Sequence, residues 1–187
     1  MKNKRFEGDV CSHTHSFAFD NFLRRLFQRP ERIVGEYIQK GDTVVDLGCG
    51  PGFFTIDMAR MVGSAGRVFA VDLQEEMLEK LEKKSVKQGL EKRIIPHVCP
   101  QDEIGLDEKV KADFILAFYM VHETPDQQRF LKEVKTVLKN GGRFLLVEPP
   151  FHVSKKKFQQ TGAYAEAAGF RILGRPSKKG GRSLLLG

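Results

Sequence analysis

Short runs rich in β-branched residues alternate along almost the whole chain with stretches whose apolar residues recur every three or four positions. The runs Thr43–Leu47, Arg67–Asp72, Ile94–Val98, Ala112–Phe118 and Arg143–Val147 predict buried strands. A helix is expected from Phe53 to about Val62, stopped by Gly63. After the second strand, Met77, Leu78 and Leu81 share one face of a helix. Its acids Glu75, Glu76 and Glu79 come early and Lys83, Lys84 and Lys87 late, the order that the helix dipole favours. A third helix runs from Pro125 to about Lys139, with Thr124 as its cap, Pro125 in its first position and Gln127 closing a capping box. Phe130, Leu131, Val134, Val137 and Leu138 form its apolar stripe, and Gly141–Gly142 is its expected stop. A helix from about Ser154 to Ala168 ends at Gly169, and Phe170–Leu173 and Ser183–Leu186 complete seven strands. Too few residues separate the last two strands for a crossover helix, so they should pair antiparallel. The fold class is α/β: a seven-stranded, mostly parallel sheet with helices on both faces and the last strand antiparallel.

Composition narrows this picture without changing it. A length of 187 residues suits one α/β core, and 41% apolar against 29% charged residues is the balance of a water-soluble domain. No apolar run approaches the ~20 residues of a membrane span, and Met1–Arg5 leads into no apolar signal core, so a cytoplasmic protein without membrane partners is expected. Cys11, Cys49 and Cys99 are too few and too scattered for a disulfide framework. The net charge of +7 is spread along the chain, with small clusters at Arg24–Arg25, Lys155–Lys157 and Lys178–Lys179. Nucleic acid is therefore permitted as a partner but not favoured.

The most informative motif is Val44-Val45-Asp46-Leu47-Gly48-Cys49-Gly50-Pro51-Gly52, a strand that turns into a helix through alternating glycines. Exposed N–H groups at such a turn favour an anionic ligand group. A dinucleotide fingerprint counted from Gly48 would need glycine at 53, where Phe53 stands. With an acid ending the second strand, Asp102 after the third, Ala117–Glu123 after the fourth and Leu138–Leu145 leading into the fifth, residues 30–187 resemble the class I S-adenosylmethionine-dependent methyltransferases, with their Rossmann-like fold.

The resemblance implies S-adenosylmethionine as cofactor. It puts Gly48, Gly50 and Gly52, with Cys49 and Phe53 in the same loop, around the methionine end. Asp46 would serve the α-amino group, Asp72 both ribose hydroxyls, Asp102 the adenine amine, and Leu73 and Phe118 the adenine faces. Methyl transfer is an in-line displacement that needs proximity and exclusion of water, and a base only where the nucleophile arrives protonated. Tyr119, His122 and Glu123 are the catalytic candidates, with Glu148 and His152 nearby at the strand ends. Glu148-Pro149-Pro150-Phe151 looks like an amino-methylating signature but follows the fifth strand instead of the fourth, so it is read as a rigid turn with Glu148 facing the pocket.

The connection from Pro149 to Val153 is too short for a substrate cap, which leaves residues 1–29 as the source of a lid. There Phe19, Phe22, Leu23, Leu26 and Phe27 have helical spacing. Cys11, His13 and His15 would share one side of an extended segment, but no fourth ligand is evident and no metal is expected. The function these features favour is methyl transfer to a small molecule by a monomer or homodimer. The alternatives are an RNA or protein methyltransferase, an NAD-dependent dehydrogenase and a non-catalytic cofactor-binding module.

Overall fold

Seven strands form a single sheet in the computed structural model, which describes residues 28–101, 103–177 and 181–187. The suggested lid helix, the set Cys11, His13 and His15, Asp102 and the Lys178–Lys179 pair therefore lie outside the described residues. The strands are β1 (Thr43–Leu47), β2 (Arg67–Asp72), β3 (Ile94–Val98), β4 (Ala112–Phe118), β5 (Leu138–Glu148), β6 (Ile172–Gly174) and β7 (Arg182–Leu186). Their order is β3-β2-β1-β4-β5-β7-β6. Pairs from β3 across to β5 are parallel, whereas β7 runs antiparallel to both β5 and β6. The expected sheet and the antiparallel pairing of the last two strands are both found. Winding runs outward from β1 to β3, then restarts at β4 on the other side, and that reversal opens a crevice at the carboxyl ends of β1 and β4.

The helices are α1 (Pro30–Val34), α2 (Thr55–Met61), α3 (Glu75–Lys87), α4 (Gln127–Val137) and α5 (Lys155–Ala167). Strand alternation divides the core in two. Val44, Phe114, Leu116, Leu145 and Val147 meet Ile56, Met58, Leu78 and Leu81 of α2 and α3 on one face. On the other, Val45, Ile115, Phe144 and Leu146 meet Phe130, Leu131, Val134 and Phe158 of α4 and α5. Both faces are covered, which is why the strands read as continuous apolar runs. Truncating a fully buried ring such as Phe114 or Phe144 to Ala costs about 3–5 kcal/mol.

Several boundaries differ from the sequence expectation, β6 among them (Ile172–Gly174 instead of Phe170–Leu173), and three have a clear physical cause. The second helix of the fold starts at Thr55, not Phe53, because Gly52 at φ +81° is outside helical space and the chain turns through Phe53–Phe54 first. The cap of α4 is Asp126, whose Oδ1 accepts from the N–H groups of Gln128 and Arg129, both at 3.0 Å. Asp is a stronger cap than Thr, so Pro125 lies before the helix and Thr124 donates instead to the carbonyl of Val121 at 2.8 Å. The glycine pair does not end α4: its last bond, Leu138 N–H to Val134 C=O, comes earlier and β5 begins at once. A Cβ on Gly142 would sit 2.9 Å from the Ala112 carbonyl, so glycine is required there by close strand approach.

Candidate functional site

At the end of β1, Asp46 is 2% exposed and accepts from the Thr55 hydroxyl at 2.6 Å, tying the glycine loop to the first residue of α2. Asp72, at the end of β2, accepts from Gly50 N–H at 2.7 Å on Oδ2 and from Gln74 N–H at 2.9 Å on Oδ1. One carboxylate thus sets the distance between the two loops that border the crevice. The glycines divide the work. A Cβ on Gly52 would lie 2.3 Å from Leu81 Cδ1, so this glycine lets α3 pack against the loop. Gly50, at φ +52°, has no heavy atom within 4 Å of a would-be Cβ, and so leaves open space at the mouth of the loop.

A cavity of about 510 Å³ opens beside this loop, within the range of small-molecule sites. Gly48, Asp72, Leu73, Tyr119, His122 and Glu123 line it, together with the unanticipated Met120 and Cys99. Not every predicted residue does. Phe118 points to the other face of the sheet, its ring 4.6 Å from Phe54 and 4.2 Å from Tyr119, and does not line this cavity. Asp46, Cys49, Gly50, Gly52 and Phe53 shape the loop from behind or beside the cavity. Asp102 lies outside the described residues. Burial pushes the thiols of Cys49 and Cys99 up, and neighbouring carboxylates add to it (Asp46 and Asp72 for Cys49, Asp72 for Cys99), so both stay protonated. Among the described residues no cluster of three or more His, Cys, Asp or Glu could hold a metal ion, and no helix is long and apolar enough to cross a membrane.

The β4 side is built differently. Tyr119 has φ +64°, a left-handed backbone that costs a non-glycine residue about 1–2 kcal/mol. It is fixed by its N–H to Val147 C=O at 2.8 Å and by Gln28, whose side-chain amide donates to the phenol oxygen at 3.1 Å. Such an outlier at the rim of a cavity marks a place where surrounding structure holds strain. The following turn, Val121–Glu123, presents His122.

Glu148 does not face the pocket as the proline-rich motif suggested. It is 1% exposed, with Oε1 accepting from His122 N–H at 2.9 Å and Oε2 2.6 Å from His122 Nδ1. The hydrogen bond to this carboxylate holds the His122 imidazole above its ordinary value of 6.5, outweighing burial. His122 and Thr124 also line a second cavity of about 580 Å³ between α4 and α5, bordered by His152, Lys157, Gln160 and Tyr164. The sequence carried a signal for Glu148: it continues the inward-facing row Phe144, Leu146 of β5, so a charge there had to find a buried partner.

Comparison with known proteins agrees with this geometry. A family model described as a methyltransferase domain matches residues 38–174. A S-adenosylmethionine-dependent methyltransferase from Aquifex aeolicus has a crystal structure that superposes with a TM-score of 0.77 at 30% identity, covering 90% of this chain and 93% of that one. The demethylmenaquinone methyltransferase of Lactococcus lactis is 34% identical over 64% of this chain and 48% of its own length. That of Lactobacillus johnsonii is 32% identical over 75% and 55%. The chain spans about half the length of these curated relatives.

Proposed function

The chain belongs to the S-adenosylmethionine-dependent methyltransferases, and we propose that it moves the methyl group of that cofactor to a small molecule, an oxygenated aromatic of the quinol class. The residues present fit the cofactor. Asp72 lines the first cavity with acceptor oxygens suited to ribose hydroxyls, Leu73 offers an apolar face beside it, and Gly50 leaves the loop open. Asp46 and the bonds of Asp72 to the loop keep that end of the cavity in shape. When bound, S-adenosylmethionine supplies an electrophilic methyl carbon, and the protein's contribution is to hold acceptor and methyl in line and exclude water. Tyr119, His122 and Glu123 line the β4 side of the first cavity, and His122 alone of the three also borders the second, the acceptor's place in this reading.

The observation that carries the small-molecule reading is that His122 and Thr124 line both cavities. It gives a donor compartment and an acceptor compartment of small-molecule size on either side of one imidazole. The names of the two relatives above, which are demethylmenaquinone methyltransferases, support the acceptor class. Incubation with methyl-labelled cofactor and separate pools of naphthohydroquinones, RNA and protein tests it. Label in the organic extract is the expected outcome, whereas label confined to RNA or protein would overturn the small-molecule reading. Calorimetry should find binding of S-adenosylmethionine and none of NAD.

A further inference from the structure

We propose that Glu148 and His122 work as one unit, in which the buried carboxylate holds the imidazole so that Nε2 removes the proton of an acidic O–H acceptor bound in the second cavity. This deepens the methyltransferase reading and rests on it. Three observations support it independently of any likeness to other proteins. Glu148 is almost wholly buried, and its two oxygens grip both the backbone N–H and Nδ1 of the same histidine. That is a fixed orientation, because rotation about either side-chain bond of His122 would break the 2.6 Å contact. A carboxylate at Nδ1 also selects the tautomer with the proton on Nδ1, which leaves the lone pair on Nε2. Nε2 itself has no hydrogen-bond partner among the described residues; the nearest acid oxygen, on Glu123, is 3.9 Å away. Finally, His122 borders both cavities, so a group on it reaches an acceptor on one side and the methyl carbon's compartment on the other.

The step balances simply. The acceptor's O–H bond breaks with its proton passing to Nε2, and the electron pair left on the acceptor, at oxygen or at a conjugated ring carbon, bonds to the methyl carbon; at a ring carbon the keto product then enolises, that carbon losing its proton as the ring oxygen regains one from water. The carbon–sulfur bond of the donor breaks with its pair remaining on sulfur, and the imidazolium then loses its proton to water. Glu148 stays ionised throughout, as a positioning residue that also stabilises the imidazolium. The charged groups around His122 are Glu148 from β5, Glu123 from its own turn, Lys157 from α5, and His152 and Asp126 along the second cavity. The acids favour the proton on His122 and Lys157 opposes it.

Two measurements test this. The first is an NMR titration of the His122 ring in the cofactor-free protein: Glu148→Gln should lower its pKa, and an unmoved titration overturns the unit whatever the enzyme turns over. The second uses phenols and naphthohydroquinones of graded acidity as acceptors. For weakly acidic ones, Glu148→Gln and His122→Gln should lower kcat by about 10²- to 10⁴-fold. For a nitrophenol that arrives ionised, the loss should nearly vanish. An equal loss across the series, with KM rather than kcat affected, would mean that the pair only holds the turn in place and would overturn proton removal. Should Glu148→Gln fail to fold, His122→Gln carries the series alone. Absence of any phenol turnover by the wild-type protein overturns the acceptor class, while transfer of label to other small molecules would leave the methyltransferase reading standing.

Discussion

The two sides of the crevice hold their shape by different means. On the β1–β2 side, glycine backbone and two carboxylates share the work: Gly50 N–H donates to Asp72, Gly52 admits Leu81 at close quarters, and Asp46 anchors the start of α2 through Thr55. On the β4–β5 side, side chains do it: Gln28 fixes Tyr119, and Glu148 fixes His122. The first arrangement makes a surface with few adjustable parts, suited to a ligand that never changes. The second can be altered one side chain at a time without moving a strand, as suits the variable partner of a transfer reaction.

If this contrast is right, perturbing the first side should damage fold and cofactor binding together. The largest effect is expected for Gly52→Ala, which combines a positive φ with the Leu81 overlap. A loss of about 2–4 kcal/mol in denaturant unfolding is expected, and a stability within 0.5 kcal/mol of the parent would show that α3 gives way freely. Asp72→Ala removes the carboxylate that bridges the loops. Cofactor affinity by calorimetry should fall at least tenfold, about 1.4 kcal/mol or more, whereas unfolding should change less than for Gly52→Ala. On the other side, Asp126→Ala strips the cap of α4, and about 1 kcal/mol should be lost with cofactor affinity unchanged. A parallel loss of affinity would erase the division between the sides. The smallest effect concerns pH. The raised value of His122 contributes stability that is fully present below 6.5 and fades as pH climbs through the value in the folded protein. Melting curves across that window should show this downward slope in the parent and a flatter one in His122→Gln.

Legibility from sequence follows the same division. The β1–β2 side is carried by one compact motif, Val44–Gly52, and by the acid that ends β2, so its strand, glycines and acids could be read directly even though Gly50 and Asp72 stand 22 positions apart. The β4–β5 side joins residues that are 26 positions apart, His122 and Glu148, or 91 apart, Gln28 and Tyr119, and no local pattern connects them. Counting alternation along β4 from buried Phe114 sends Phe118 to the α2–α3 face and away from the cavity, and the same count along β5 sends Glu148 inward. Thr124, Pro125 and Asp126 are each good helix starters, and only the completed bonds to Gln128 and Arg129 decide among them. The entry into β5 through Gly141–Gly142 depends on how closely β4 passes, a distance that the residues themselves do not encode.

The reversal of winding between β1 and β4 has a consequence for how such a protein diversifies. Because the chain leaves the sheet centre in opposite directions on the two sides, the turns after β1 and β2 hang from different strands than the turns after β4 and β5, and only the turn after β4 reaches both cavities. Insertions, deletions or exchanges after β4 and β5 can accumulate while the turns after β1 and β2 keep their spelling. On the proposed assignment of the two sides, a lineage can change its acceptor while keeping its methyl source, and a protein engineer can vary the turns after β4 and β5 for the same purpose.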